Sequence, residues 1–180
     1  MSEFKEPIIR LKGEDVNLCV FRTDDEAIKK YLNWMNDEEI LPWINRNSKI
    51  CQITDEENYA KKEIPENIYR FNIVTKNNEL IGNCDIKVNN TKHDGCLGIC
   101  IGENEGRNKG YGTQVIKMLI DYSFNELNLH KVWLTLSAEN QRALAYYKKA
   151  GMEQIGIMRE DTFSNGHWVD TIFMEIINKK

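Results

Sequence analysis

A mixed α/β fold with a mostly antiparallel central sheet flanked by helices is the class that this 180-residue sequence predicts, and three observations predict it. Short apolar or alternating runs at 8–11, 16–20, 69–75, 80–88, 97–101 and 131–137 have strand length and are bounded by turn residues. Between them lie segments whose apolar residues recur at three-to-four spacing, the mark of amphipathic helices. The chain closes on two long runs around Ser164-Asn165-Gly166, a hairpin signature. No repeat, low-complexity stretch or linker interrupts this order, so residues 1–180 read as one domain with one sizeable core.

Taken in order, Ile8 to Leu11 and Val16 to Val20 flank Gly13-Glu14-Asp15 as two short strands. Thr23 with Glu26 three residues on has capping-box spacing and opens a helix carrying Ile28, Tyr31, Leu32 and Met35 on one face. Thr54 with Glu57 repeats the signal for a second helix. The segment 37–53 between them holds Pro42 and Trp43 without a clean period, an irregular and partly aromatic stretch that is a candidate acceptor-side loop. Tyr69 to Thr75 and Leu80 to Val88 form a hairpin, since Asn77-Asn78 tolerates the positive φ of a tight turn. Asn89 to Gly95 is a polar loop. Lys131 to Ser137 alternates with β-branched and aromatic residues as a strand. Asn140 caps a helix that runs to Ala150 and stops at Gly151.

Composition narrows the function classes. A net charge of −4 argues against a general nucleic-acid binder, which needs a basic face. No run of eighteen apolar residues and no leader-like start occurs, so the expected location is cytoplasmic with no membrane association. Five cysteines (Cys19, Cys51, Cys84, Cys96, Cys100) form no CxxC pair and the three histidines are scattered. Free thiols and no metal are expected. The partner is then a small molecule or a peptide.

The stretch 97–125 carries the chemistry. A buried strand, Leu97 to Ile101, leads through Arg107, Asn108, Lys109, Gly110, Tyr111 and Gly112 into a helix from Thr113 with Val115, Met118, Leu119 and Tyr122 on one face. A helix start offers unpaired N–H groups and the positive end of the peptide dipole. Gly110 and Gly112 lack the Cβ atoms that would block an anion, and Arg107 and Lys109 add cationic donors. A pyrophosphate cradle fits these residues, and so does a glycine-rich turn with two solvated cations. Neither the Walker pattern nor GxGxxG is complete here.

Arg107-x-x-Gly110-x-Gly112 after the strand LGICIG resembles the acetyl-CoA-binding motif of the GCN5-related N-acetyltransferases (GNAT), and Asn140-Gln-Arg-Ala-Leu-Ala-Tyr-Tyr147-Lys-Lys-Ala-Gly151-Met resembles the family's second helix motif. The terminal MREDTFSNGHWVD is similar to the RimJ/RimL-like branch. The resemblance implies a GNAT-like sheet in which the central strand and strand 131–137 splay apart to admit the pantetheine arm. It implies an acetyl-CoA-dependent acyltransferase with no metal, acting on a small-molecule amine or peptide N-terminus by direct attack in a ternary complex. Ribosomal-protein N-termini, polyamines such as spermidine and amino sugars are acceptors in this branch, and a homodimer is compatible with it. The alternative from another class is a non-catalytic acyl-CoA sensor.

On the same resemblance, Cys100 and Ile101 supply backbone N–H groups to the oxyanion. Arg107, Asn108, Lys109, Gly110, Tyr111, Gly112, Thr113 and Asn140 hold the cofactor. Tyr147 protonates the departing thiolate, as a phenol that keeps its proton at neutral pH can do. Its competing role is core packing, as capping is for Asn140. Tyr146 points about 100° away around a helix, so only one of the two tyrosines is expected to face the sulfur. Many relatives carry glutamate where this chain has Cys96, and Gly106 stands where an aromatic residue is frequent. The base is left among Asp85, Glu103, Glu160, Asp170 and a water chain. The acidic clusters 37–39 and 55–57 either attract a cationic acceptor or serve as ordinary surface and helix-start charge.

Overall fold

The computed structural model describes residues 6–44, 50–103 and 109–179. Its strands are β1 (Ile9–Lys12), β2 (Val16–Val20), β3 (Ile68–Thr75), β4 (Leu80–Asn89), β5 (Asp94–Ile101), β6 (Lys131–Ser137), β7 (Glu153–Ser164) and β8 (His167–Ile177). Its α-helices are α1 (Asp25–Trp34), α2 (Ile53–Lys61), α3 (Tyr111–Asn125) and α4 (Gln141–Lys149), with a 3₁₀ turn at Leu41–Trp43. The strands form one eight-stranded sheet in the order β1-β2-β3-β4-β5-β6-β8-β7. Every neighbouring pair is antiparallel except β5 and β6.

Local chemistry accounts for the boundaries, and in places moves them. Helix α1 is capped by Asp24, not Thr23: its side chain accepts from the Ala27 N–H at 3.2 Å while also pairing with Arg22. A carboxylate both caps and complements the dipole, so it outcompetes the hydroxyl beside it. Helix α2 starts before the expected Thr54, because Gln52 and Asp55 form the reciprocal capping box. In the 75–80 turn Asn78 takes a φ of 64°, the conformation that the asparagine pair was expected to accept. The polar loop before β5 is shorter than expected, since β4 and β5 pair as far as Asn89↔Asp94.

The sheet carries two apolar layers. On one face α3 and α4 contribute Val115, Ile116, Leu119, Ala143 and Tyr147 against Phe71, Ile73, Ile86 and Val132. On the other, α1 and α2 place Ala27, Ile28, Tyr31, Trp34 and Ala60 against Cys19 and Val74. Residues 71 to 74 of β3 therefore feed the two layers alternately, as a pleated strand must. Buried Asn72 donates to the Tyr31 hydroxyl at 2.8 Å and accepts from the Arg22 N–H at 2.8 Å. Gln114 of α3 ties that helix to the opening hairpin by accepting from the N–H groups of Asp15 and Val16. Among the described residues no helix is long and apolar enough to cross a membrane.

Candidate active site

The parallel pair determines where the site lies. β5 and β6 are registered only over Asp94↔Lys131, Gly95↔Val132 and Cys96↔Trp133. Beyond that, β6 continues to Ser137 against β8 and β5 continues to Ile101 against β4. The two strands separate, and the splay expected for this fold is present. A cleft of about 530 Å³ occupies the gap, within the size of small-molecule sites. Its lips are Leu97 to Ile101 on β5 and Thr135 and Leu136 on β6. Gly110 to Thr113 close one end, and residues of α4 form a wall. Glu39, Ile40, Trp43 and Ile44, from the segment expected on the acceptor side, close the other end.

The start of α3 fits the anion-binding reading. Gly110 is its N-cap at φ 81°, and a Cβ added there meets nothing within 4 Å. The left-handed conformation suits glycine, and the approach to the first N–H groups stays open. The helix begins at Tyr111, two residues before the expected Thr113, so Tyr111, Gly112 and Thr113 present first-turn N–H groups on the cleft. A Cβ added at Gly112 would lie 3.4 Å from the Tyr146 ring, so little room remains there for a larger side chain. Lys109 is exposed and lies 6.0 Å from the Tyr111 ring centre. Arg107 and Asn108, with Gly106, lie outside the described residues.

Asn140 caps α4, accepting from the Ala143 N–H at 3.0 Å, and also lines the cleft. Both tyrosines of α4 reach the cleft, with ring centroids 4.4 Å apart. Their Cβ directions diverge by about 100° around the helix, yet two long side chains at adjacent positions can converge on one groove. Burial pushes the Tyr147 phenol well above its ordinary value, and the neighbouring Tyr146 hydroxyl adds to the effect. Tyr146 is raised too, again by burial first. Each keeps its proton at neutral pH. Sequence reasoning missed Arg142 and Lys149, which add positive charge to the same wall. Arg142 sits inside the α4 motif, so the signal was present.

The acidic residues sort themselves by contact. Glu103 accepts from Lys30 at 2.9 Å and from the Trp34 indole N–H at 3.2 Å, fastening the end of β5 to α1. Asp170 accepts the Glu160 N–H, and Glu160 is exposed at φ 51°. In the second acidic cluster Asp55 caps α2, buried Glu56 meets the Cys51 thiol at 3.1 Å, and Glu57 pairs with Lys61. That cluster is architectural. Cys96 turns away from the cleft into a separate cavity with Lys87 and Trp133, and burial raises its thiol. It remains a protonated thiol and takes no glutamate's place. Asp85 is half-buried on β4 opposite Gly98, a cleft residue. Among the described residues no group of three or more His, Cys, Asp or Glu could hold a metal ion.

Comparison with known proteins agrees with this geometry. Residues 8–153 match the family model of the acetyltransferase (GNAT) domain. The chain belongs to the GNAT family. Over 147 residues it is 30% identical to the spermidine N(1)-acetyltransferase of Vibrio cholerae, covering 76% of this chain and 85% of that one. A shorter match, 36% over 70 residues, links it to the Escherichia coli K12 spermidine N(1)-acetyltransferase, covering 39% of this chain and 38% of the relative. Among solved structures, V. cholerae spermidine N-acetyltransferase in complex with CoA and spermine superposes with a TM-score of 0.83 at 26% identity, covering 92% of this chain and 97% of that one. A GNAT-family acetyltransferase from Bacillus anthracis shares the fold at a TM-score of 0.80 and 19% identity, with 94% and 99% covered. This GNAT protein is an acetyl-CoA-dependent N-acetyltransferase.

Proposed function

We propose that this N-acetyltransferase moves the acetyl group of acetyl-CoA directly to a primary amine of a small cationic acceptor, with a linear polyamine such as spermidine the leading candidate. The observation that carries the reading is that the cleft passes through the sheet. A helix N-terminus with the open Gly110 lies at one end, and the Glu39–Ile44 segment with its acidic residue lies at the other. Pyrophosphate and pantetheine enter from the α3 side, held by the N–H groups of Tyr111, Gly112 and Thr113, with Lys109, Arg107 and Asn108 preceding them and Asn140, Arg142 and Lys149 on the facing helix. The acceptor enters from the opposite face, where negative charge favours a polycation. Two relatives named for spermidine acetylation support that choice.

The chemistry follows from what these residues can do. The acceptor amine loses its ammonium proton, and its lone pair then attacks the thioester carbonyl carbon. The carbonyl π electrons move to oxygen, where the backbone N–H of Ile101 receives the charge. Beyond Cys96 this part of β5 has no β6 partner, and the Ile101 N–H lies on that open edge, whereas its neighbours Cys100 and Gly102 turn their backbone groups toward β4. Collapse of the tetrahedral intermediate breaks the C–S bond, and Tyr147 gives its proton to the leaving thiolate. Its phenolate is reprotonated from solvent, and the amide loses its remaining ammonium-derived proton.

Thiol release from acetyl-CoA, measured against spermidine, amino sugars and short peptides with free N-termini, tests the reading, with calorimetry of acetyl-CoA as the companion. Turnover of spermidine well above the other classes supports the polyamine assignment. Preferred turnover of a sugar or peptide overturns the acceptor and keeps the transfer reaction. Binding without turnover of any amine shifts the reading to an acyl-CoA sensor.

A further inference from the structure

We infer that Asp85 is the proton acceptor for the substrate ammonium, reached through one water across Gly98, and that it does on β4 what the Cys96 position of β5 does not do in this chain. The inference rests on the acetyl-transfer reading above. Its geometric basis is the Asp85↔Gly98 pair. A Cβ built on Gly98 would lie 2.9 Å from Asp85 Oδ1 and 3.6 Å from Oδ2, so the carboxylate occupies the space over β5 that the missing side chain leaves. Gly98 itself lines the cleft, as does Cys100 two residues along the same face. Cys100 packs with the α1–α2 layer, so this is the acceptor face of the sheet.

The groups around Asp85 leave it available. Across the β3 pairing stands Arg70, but its guanidinium stacks 3.9 Å from the Tyr59 ring centre and donates to the Tyr59 carbonyl at 3.1 Å, drawn toward α2. Among the described residues Arg70 and Asp85 form no ion pair and no hydrogen bond closes on the Asp85 carboxylate. Lys87 on its own strand lowers its proton affinity, as Arg70 does, while burial outweighs both and raises it. Cys84 beside it, Cys96 and Cys100 on β5, and Tyr59 and Glu56 on α2 complete the titratable groups of this neighbourhood. Cys84, Cys96 and Tyr59, all raised by burial, are neutral at working pH. A carboxylate of raised proton affinity beside the cleft is better matched to an ammonium than an exposed one.

The step balances: the ammonium N–H breaks, the proton passes through the water to Asp85, the N–H electron pair becomes the attacking lone pair, and the proton later leaves to solvent. Wild type is assayed first with spermidine; absence of turnover with every amine sinks the transfer reading itself. With turnover established, Asp85→Asn should lower kcat/KM by about 100-fold or more, leave calorimetric acetyl-CoA affinity within about twofold, and abolish the acid-side limb of the pH profile. Asp85→Glu should restore part of the rate and of that limb. An alkoxyamine acceptor, neutral at assay pH, bypasses the proton transfer, so the Asp85→Asn deficit should shrink toward unity. A full rate with an unchanged profile in Asp85→Asn overturns the inference, as does an equal deficit with both acceptors.

Discussion

At Tyr147, two demands meet in one side chain. It is buried in the layer under α3 and α4 and it lines the cleft, so the packing role and the acid role are compatible. Removal of the hydroxyl alone should separate them: Tyr147→Phe is expected to lower kcat by about 10²-fold or more while acetyl-CoA affinity and the melting temperature stay close to wild type. Calorimetry with single-turnover kinetics checks this, and an unaltered rate across pH removes the acid assignment. Gly110 offers the complementary case, at φ 81° with open space beyond. Gly110→Val should abolish acetyl-CoA binding, because a branched side chain is strained there and stands in the anion's approach. Asp85 carries a pH prediction. Burial raises its folded-state proton affinity, so its ionisation opposes folding. Relative to acid pH, stability is lost as pH rises from the unfolded aspartate range through the higher folded value. Asp85→Asn should therefore match wild type in acid and melt higher at neutral pH, which thermal scans across pH will show.

Among the elements, α4 shows how one residue can serve fold and site together. Asn140 Oδ1 accepts the Ala143 N–H at the start of the helix, and Asn140 lines the cleft together with Tyr146 and Tyr147. Asn140→Ala should cost about 1 kcal/mol in urea unfolding, and Asn140→Asp should recover most of it. If Asn140 also contacts pantetheine, acetyl-CoA affinity should fall in both variants, since the aspartate restores the cap without the amide donor. The helix motif was legible because capping chemistry, the Gly151 stop at φ 98° and apolar spacing all agree locally. The starts of α1 and α2 were shifted because neighbouring residues compete for one cap. That competition is settled by which side chain reaches the N–H, and Asp24 also had Arg22 to orient it.

For the molecule as a whole, the sheet separates two apolar layers, and the cleft is lined by residues from both. Leu134, 1% exposed on β6, anchors the α3–α4 layer where β6 leaves β5. Leu134→Ala should destabilise the fold by about 2–5 kcal/mol, measured by denaturant titration. The sequence by itself determined the strands and helices in order, the glycine-opened start of α3, the Asn140 cap and the tyrosines of α4, because each rests on periodicity or turn chemistry spanning a few residues. It also marked the 37–53 segment as irregular, since an aperiodic aromatic stretch between two helices has no ladder to join, and Glu39, Ile40, Trp43 and Ile44 of that segment line the cleft. Only the tertiary structure decided that Tyr146 shares the cleft with Tyr147, that Glu103 and the 55–57 cluster are engaged in packing and capping, and that Asp85 lies over Gly98. Those outcomes depend on strand register and on which distant side chain arrives first, and neither is encoded in the spacing of neighbours along the chain.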